Sequence, residues 1–224
     1  MDLVRRLLRR LVHGIYRPYL LWRIATPSQV QVAGQGLATD PVVFNPRYFS
    51  STKLVLRHLR SMELAGKRFL DMGTGSGAIG IGAATHGAVV TACDINPRAV
   101  ALARQNAIRN RVTVEVLESD LFSALRDRAF DVICFNVPFY PRSPRSPFEA
   151  AFFAGPNFET VRSFAAGCGP ALAPGGVIVV IFSEDSGRAL MASIFATAGF
   201  TVIAEQVTTR LFERFHLLSL QRLG

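Results

Sequence analysis

The chain has 224 residues, half of them apolar and 18% charged, which excludes a disordered or fibrous protein and allows one domain with a buried central sheet. The formal charge is +9 and nearly all of the 25 basic residues are arginine, which favours planar contact with phosphate or carboxylate and leaves open either an anionic partner or a merely charged surface. Cys93, Cys134 and Cys168 show no CxxC spacing, no apolar run is long enough to span a bilayer, and no secretion signal is visible, so a soluble cytoplasmic protein without metal or disulfides is expected.

Met1 to about Thr26 reads as a basic amphipathic helix. At helical spacing Leu3, Val4, Leu7, Leu8, Leu11 and Ile15 share one face, with Arg5, Arg6, Arg9 and Arg10 opposite. Docking of its apolar face on the domain is expected; the arginine face offers contact with an anionic surface. A polar stretch follows, then Pro41-Val42-Val43-Phe44-Asn45-Pro46 and a helix from Ser51 to Met62. Residues 1–40 are therefore assigned to an extension and 41–224 to one domain.

From Lys67 onward β-rich runs alternate with helical stretches. Strands are expected over Arg68–Met72, Ala88–Cys93, Val112–Leu117, Val132–Phe135 and Val177–Phe182, and this alternation predicts a doubly wound, mostly parallel sheet. The helix from Asn96 to Asn110 starts on a capping asparagine followed by Pro97. A helix near Arg188–Ala198 and strands at Thr201–Glu205 and Glu213–Leu220 complete a seven-stranded α/β domain.

The strand ending at Met72 runs into Gly73-Thr74-Gly75-Ser76-Gly77 and a helix, a turn that lets a ligand lie against bare backbone and meet unpaired N–H groups. Gly73, Gly75 and Ala78 also satisfy the dinucleotide pattern G-x-G-x-x-A. Asp94 closes the next strand, where a carboxylate can accept both hydroxyls of a ribose. These features leave a nicotinamide-dependent oxidoreductase open beside a methyltransferase.

Asp71 directly before the glycines, Ser119-Asp120-Leu121-Phe122 after the third strand, and Asn136-Val137-Pro138-Phe139 after the fourth complete a series. Together they resemble class I S-adenosylmethionine-dependent methyltransferases, within them the small-domain, amino-methylating group that includes the HemK/PrmC-type glutamine methyltransferases and adenine amino-methyltransferases. The resemblance implies a Rossmann-like methyltransferase fold and S-adenosyl-L-methionine as cofactor. It assigns the donor site to Phe49, Thr52, Asp71, Gly73, Thr74, Gly75, Gly77, Asp94, Ile95, Asn96, Asp120, Leu121, Phe122 and Asn136. Within that set Asp94 would hold the ribose, Asp120 the adenine amino group, and Leu121 and Phe122 would flank the ring.

The resemblance also implies an N-methyltransferase acting on protein or nucleic acid, with a small-metabolite methyltransferase as the alternative. An amide or aromatic amino nitrogen is a poor nucleophile because its lone pair is delocalised. Asn136 Oδ1 and the Val137 carbonyl would take its two hydrogens, Pro138 would shape the turn, and Phe139 would offer a flat face. Valine at 137 departs from the proline common in the family, which leaves the acceptor's identity open. The loop Pro141-Arg142-Ser143-Pro144-Arg145-Ser146-Pro147 suits an extended rim over the substrate.

Overall fold

A computed structural model describes residues 28–210 and 213–223; the expected N-terminal helix lies outside the described residues. The chain opens with β1 (Gln29–Val32), β2 (Gln35–Ala38), α1 (Ser50–Leu59), β3 (Arg68–Met72), α2 (Ala78–Thr85), β4 (Val89–Asp94), α3 (Pro97–Arg109) and β5 (Val114–Glu118). It continues with β6 (Phe130–Asn136), α4 (Pro147–Ala150), α5 (Glu159–Ala171), β7 (Leu172–Ser183), α6 (Arg188–Thr197), β8 (Phe200–Arg210) and β9 (Glu213–Arg222).

The main sheet has seven strands in the order β5-β4-β3-β6-β7-β9-β8, parallel except for β9, which runs antiparallel to both neighbours. Its central strands read as near-continuous apolar runs because helices cover both faces. Val132, Ile133, Cys134 and Phe135 of β6 are all buried, as are Ile178 to Phe182 of β7. On one face α5 and α6 contribute Phe164, Cys168, Met191 and Phe195; on the other α1 and α2 contribute Leu54, Val55, Leu59 and Ile79. From β3 the chain winds outward to β4 and β5, then reverses to β6 on the other side of β3. The carboxyl ends of β3 and β6 thus flank the crevice where open α/β sheets take their ligands.

The dinucleotide-binding sheet has six parallel strands in the order 3-2-1-4-5-6. Here β9 inserts antiparallel between β7 and β8, a topology that separates the chain from the nicotinamide reading.

Part of the stretch assigned by sequence to the extension is the β1–β2 hairpin. Its Val30, Val32 and Leu37 are buried against Leu56, Ile81 and Ala107. Asn106 of α3 secures it: Oδ1 accepts from Ala38 N at 2.7 Å, while Nδ2 donates to the carbonyls of Ala38 at 3.1 Å and Ser76 at 2.9 Å. The helix expected to reach Met62 ends at Leu59, and β5 starts two residues later than expected, after a left-handed Arg111 with φ 57°.

Candidate active site

The glycine turn leaves β3 and is braced from beneath by Asp71. This carboxylate is 1% exposed; its Oδ2 accepts from Thr74 Oγ1 at 2.6 Å and from Gly80 N at 2.8 Å, tying the turn to the first residues of α2. Burial, with a smaller contribution from nearby Asp94, pushes Asp71 up to about 7 against the bonds from Thr74 and Gly80. Its Oδ1 is buried and has no partner. Gly77 has φ +84°, and a Cβ there would sit 3.1 Å from Ala103 Cα, so glycine lets α3 close on the turn.

Asp94 binds the turn from the side. Its Oδ2 accepts from Gly75 N and its Oδ1 from Asn96 N, both at 2.9 Å, and burial raises its pKa despite these bonds. Asn96 caps α3 through Arg98 N and donates through Nδ2 to Val42 O at 3.0 Å, anchoring the segment that leads to Phe44. Beyond β5, Ser119 Oγ donates to Leu121 O at 2.7 Å and accepts from Ala124 N, holding Leu121 at a left-handed φ of 46°.

These pieces enclose a cleft of about 350 Å³, within the range of pockets that take nucleoside-sized ligands. Gly73, Thr74, Gly75, Asp94, Ile95 and Asn96 line one part of it, and Thr52, Asp120, Leu121, Asn136 and Pro138 the rest. The residues fit an adenosine-bearing donor. A Cβ on Gly75 would meet only Val43 and Phe44, at 3.9 Å, so that backbone is open to a ligand. Ile95 exposes half its surface beside the ribose-type carboxylate Asp94. Asp71 and Gly77 lie behind the wall as supports. Phe122 is turned away from the cleft: its ring stacks 5.7 Å from Phe164 and covers Gly167, where a Cβ would approach to 2.3 Å.

A second, smaller pocket of about 130 Å³ shares Asn136 with the cleft. Phe44, Tyr48, Phe49, Phe139, Tyr140, Phe152 and Phe215 supply its rings, with Ser51, Val137, Arg210 and Glu213 among its other lining residues. Phe49 therefore faces this pocket and stacks on Phe44 at 4.4 Å. Asn136 Oδ1 is buried without a partner. Val137 N donates to Ile181 O at 3.3 Å and Ser186 Oγ to Phe139 O at 2.8 Å, so the turn after β6 is held at both ends. The expected rim loop contributes Pro144 and Pro147 to the donor cleft and is closed at its base by Tyr140 N→Phe152 O and Ala154 N→Tyr140 O, each 2.9 Å.

Sequence reasoning did not reach Phe152, Arg210, Glu213 and Phe215, which come from segments that only the fold brings together. A larger hollow of about 610 Å³ between Gly169, Ala198, Gly199 and Arg222 lies at the opposite end of the strands and holds none of this chemistry.

Comparison with known proteins agrees with this geometry. Residues 35–207 match the methyltransferase small domain. A Methanocaldococcus jannaschii protein assigned as a protein N5-glutamine methyltransferase is 32% identical over 87% of this chain and 99% of its own length. The release factor glutamine methyltransferase of Deinococcus radiodurans is 32% identical over 77% of this chain and 66% of its own. Among solved structures, the T. thermophilus 16S rRNA N2 G1207 methyltransferase in complex with AdoMet and guanosine superposes with a TM-score of 0.64 at 19% identity, covering 89% of this chain and 50% of that one. With its glycine turn, paired aspartates and N-V-P-F turn set around one cleft, the chain belongs to the methyltransferase small-domain family.

Proposed function

We propose that this enzyme transfers the methyl group of S-adenosylmethionine to an amide or amino nitrogen of a protein or nucleic acid. The observation that carries the reading is Asn136 Oδ1, a buried acceptor without a partner on the wall shared by the donor cleft and the aromatic pocket. When bound, the donor supplies an electrophilic methyl on a sulfonium. Asn136 accepts one N–H of the incoming nitrogen and the Val137 carbonyl the other, which orients the lone pair toward the cleft and returns electron density to it; once the nitrogen has taken the methyl it sheds one of these two protons to solvent. Phe139, held edge-on to Phe215 at 6.1 Å, gives the planar group a flat surface. Arg210 and Glu213 also line the pocket that Asn136 shares with the cleft. Two of the similar proteins act by name on glutamine and on N2 of a guanosine, both delocalised nitrogens, which supports the same acceptor chemistry here.

The test is incubation with methyl-labelled donor and fractionated cell extract, followed by the Asn136 variants. Label should enter protein or RNA, and Asn136→Ala should lower turnover at saturating donor by about 10²–10³, with donor affinity nearly intact. Asn136→Asp should retain partial activity because an acceptor oxygen remains. Label confined to small molecules, or a loss below about fivefold, far short of that range, would reject this acceptor and mechanism.

A further inference from the structure

The segment at the end of β7 holds the Asn136–Phe139 turn at both of its ends: Ile181 O accepts from Val137 N, and Ser186 Oγ donates to Phe139 O. Between those two anchors lies Glu184, which is tied to a histidine that lines neither pocket. His216 of β9 is 6% exposed, and its ring stacks on Phe182 at 5.5 Å. Its Nε2 stands 2.8 Å from Glu184 Oε2 and its Nδ1 2.7 Å from Glu205 Oε1 of β8. Each carboxylate also meets one arginine: Arg214 of β9 lies 3.6 Å from Glu184, and Arg188 of α6 lies 2.9 Å from Glu205.

We propose that His216 is a positioning residue for methyl transfer, an imidazolium whose bonds to Glu184 and Glu205 fix the end of β7 and, through it, the Asn136–Phe139 turn. The inference rests on the reading of that turn as the acceptor site and goes beyond it, since His216 touches no substrate. The bond from His216, with Arg214 nearby, holds the Glu184 carboxyl below the usual carboxylate range; Arg188, followed by His216, does the same for Glu205. An ionised carboxylate only accepts, so both ring nitrogens have to donate, and the ring does so only with both protons on it. A ring that gives one up turns a lone pair on a carboxylate, and that contact becomes repulsive. The support is therefore present while both protons are bound and is lost as pH rises and one leaves. Phe215, the neighbour of His216 in β9, lines the aromatic pocket and meets Phe139 edge-on, so the same strand sets a second wall. The glycine turn takes no part in this network: Thr74 N donates to Cys93 O of β4 at 2.9 Å.

The test is amide hydrogen exchange of the full chain, read at Val137 and, as an internal control, at Thr74, while NMR of isotope-labelled histidine follows the His216 ring nitrogens over the same pH series. The ratio of the two exchange rates cancels the direct effect of pH on exchange chemistry. In the parent both ring nitrogens should carry hydrogen where Val137 is protected. The Val137 to Thr74 ratio should rise about tenfold as one proton leaves, the scale of one hydrogen bond. His216→Gln, which can donate to only one carboxylate, should show the raised ratio at every pH. Glu184→Ala should raise it as well, and Glu184→Gln, which keeps an acceptor for Nε2, should restore most of the protection. With methyl-labelled donor and fractionated cell extract, His216→Gln should raise the amount of extract giving half-maximal label about tenfold and leave S-adenosylhomocysteine affinity within about twofold.

A ring with a single N–H where Val137 is protected, a ratio that stays flat while the ring loses its proton, or equal acceleration at Val137 and Thr74 in His216→Gln would make His216 a residue of general stability and overturn the proposal. Unchanged half-saturation by the extract in a folded His216→Gln would overturn it too. Should the ring keep both protons throughout, or His216→Gln fail to fold, the Glu184 pair decides: an unchanged ratio in Glu184→Ala, or no recovery in Glu184→Gln, rejects the role. Failure of the parent to bind S-adenosylhomocysteine, or to place label in any fraction, would instead remove the methyl-transfer reading on which the proposal stands.

Discussion

Asp71 is ionisable, almost fully buried and committed through one oxygen to the glycine turn, so its protonation is linked to folding. Its pKa rises from 3.8 to about 7 on folding. Between those values the folded state binds the proton more tightly, and stability falls as pH rises from about 4 to about 7. Asp131 acts in the opposite sense: paired with Arg68, it is lowered to about 2 and supports the fold above the ordinary carboxylate range, losing that support as pH falls. Asp71→Asn keeps an acceptor for Thr74 and Gly80 and removes the titration. Chemical denaturation at pH 5 and pH 8 should show the parent losing stability relative to the variant, by at most about 3 kcal/mol, since about two pH units of the interval between 3.8 and about 7 lie above pH 5 at about 1.4 kcal/mol per unit. Parallel pH dependences would show that Asp71 stays ionised in the folded protein. The role of Asp71 was only half legible in the sequence. Its place before the glycines marked it as unusual, but only the fold shows it bonded to the turn from behind. Phe122 was read as a flank of the ligand from its position after Asp120; the close approach of Gly167, which no local pattern announces, turns its ring to the core.

At the scale of elements, the parallel strands were legible because burial on both faces writes itself as apolar runs, and α3 because Asn96 and Pro97 mark its start. The β1–β2 hairpin was not read, although Val30 and Val32 alternate with glutamines and Ala33-Gly34 forms the turn with φ 52° and 93°. Four-residue strands carry little periodic signal, and the stabilising partner, Asn106, is 68 residues away from Ala38. Helix α5 was not assigned from the sequence: it carries Gly167, Gly169 and Pro170 near its end, poor helix formers, and it is its buried Val161, Phe164, Ala165 and Cys168 that hold it on the sheet. Asn106 is fully buried and makes three bonds, two to β2 and one to the Ser76 carbonyl of the glycine turn. Asn106→Ala should therefore destabilise the protein by about 2–4 kcal/mol, since buried backbone groups lose their partners. It should also speed amide exchange at Ala38. A change below about 0.5 kcal/mol, the range of ordinary surface substitutions, would mean that water replaces the side chain.

Across the whole molecule, charge and donor chemistry are separated along the sequence. The first 27 residues hold six arginines and one acidic residue, so they carry +5 of the formal +9. Among the described residues, those lining the donor cleft lie between Val42 and Thr160, and the aromatic pocket adds Arg210, Glu213 and Phe215 from the β8–β9 region. Removing residues 1–23 should thus leave S-adenosylhomocysteine affinity within about twofold, a change below 0.5 kcal/mol. It should sharply reduce electrostatic binding to an anionic polymer. For a partner such as RNA, each arginine contact with phosphate adds about 0.7–0.9 to the slope of log affinity against log salt. The truncated chain should show a slope shallower by up to the number of arginines engaged, and should elute from heparin at lower salt. Calorimetry with S-adenosylhomocysteine and a salt series with a single-stranded RNA distinguish the two effects. A collapse of donor affinity on truncation would place the arginine-rich segment at the cleft, and an unchanged salt slope would remove it from any anionic contact.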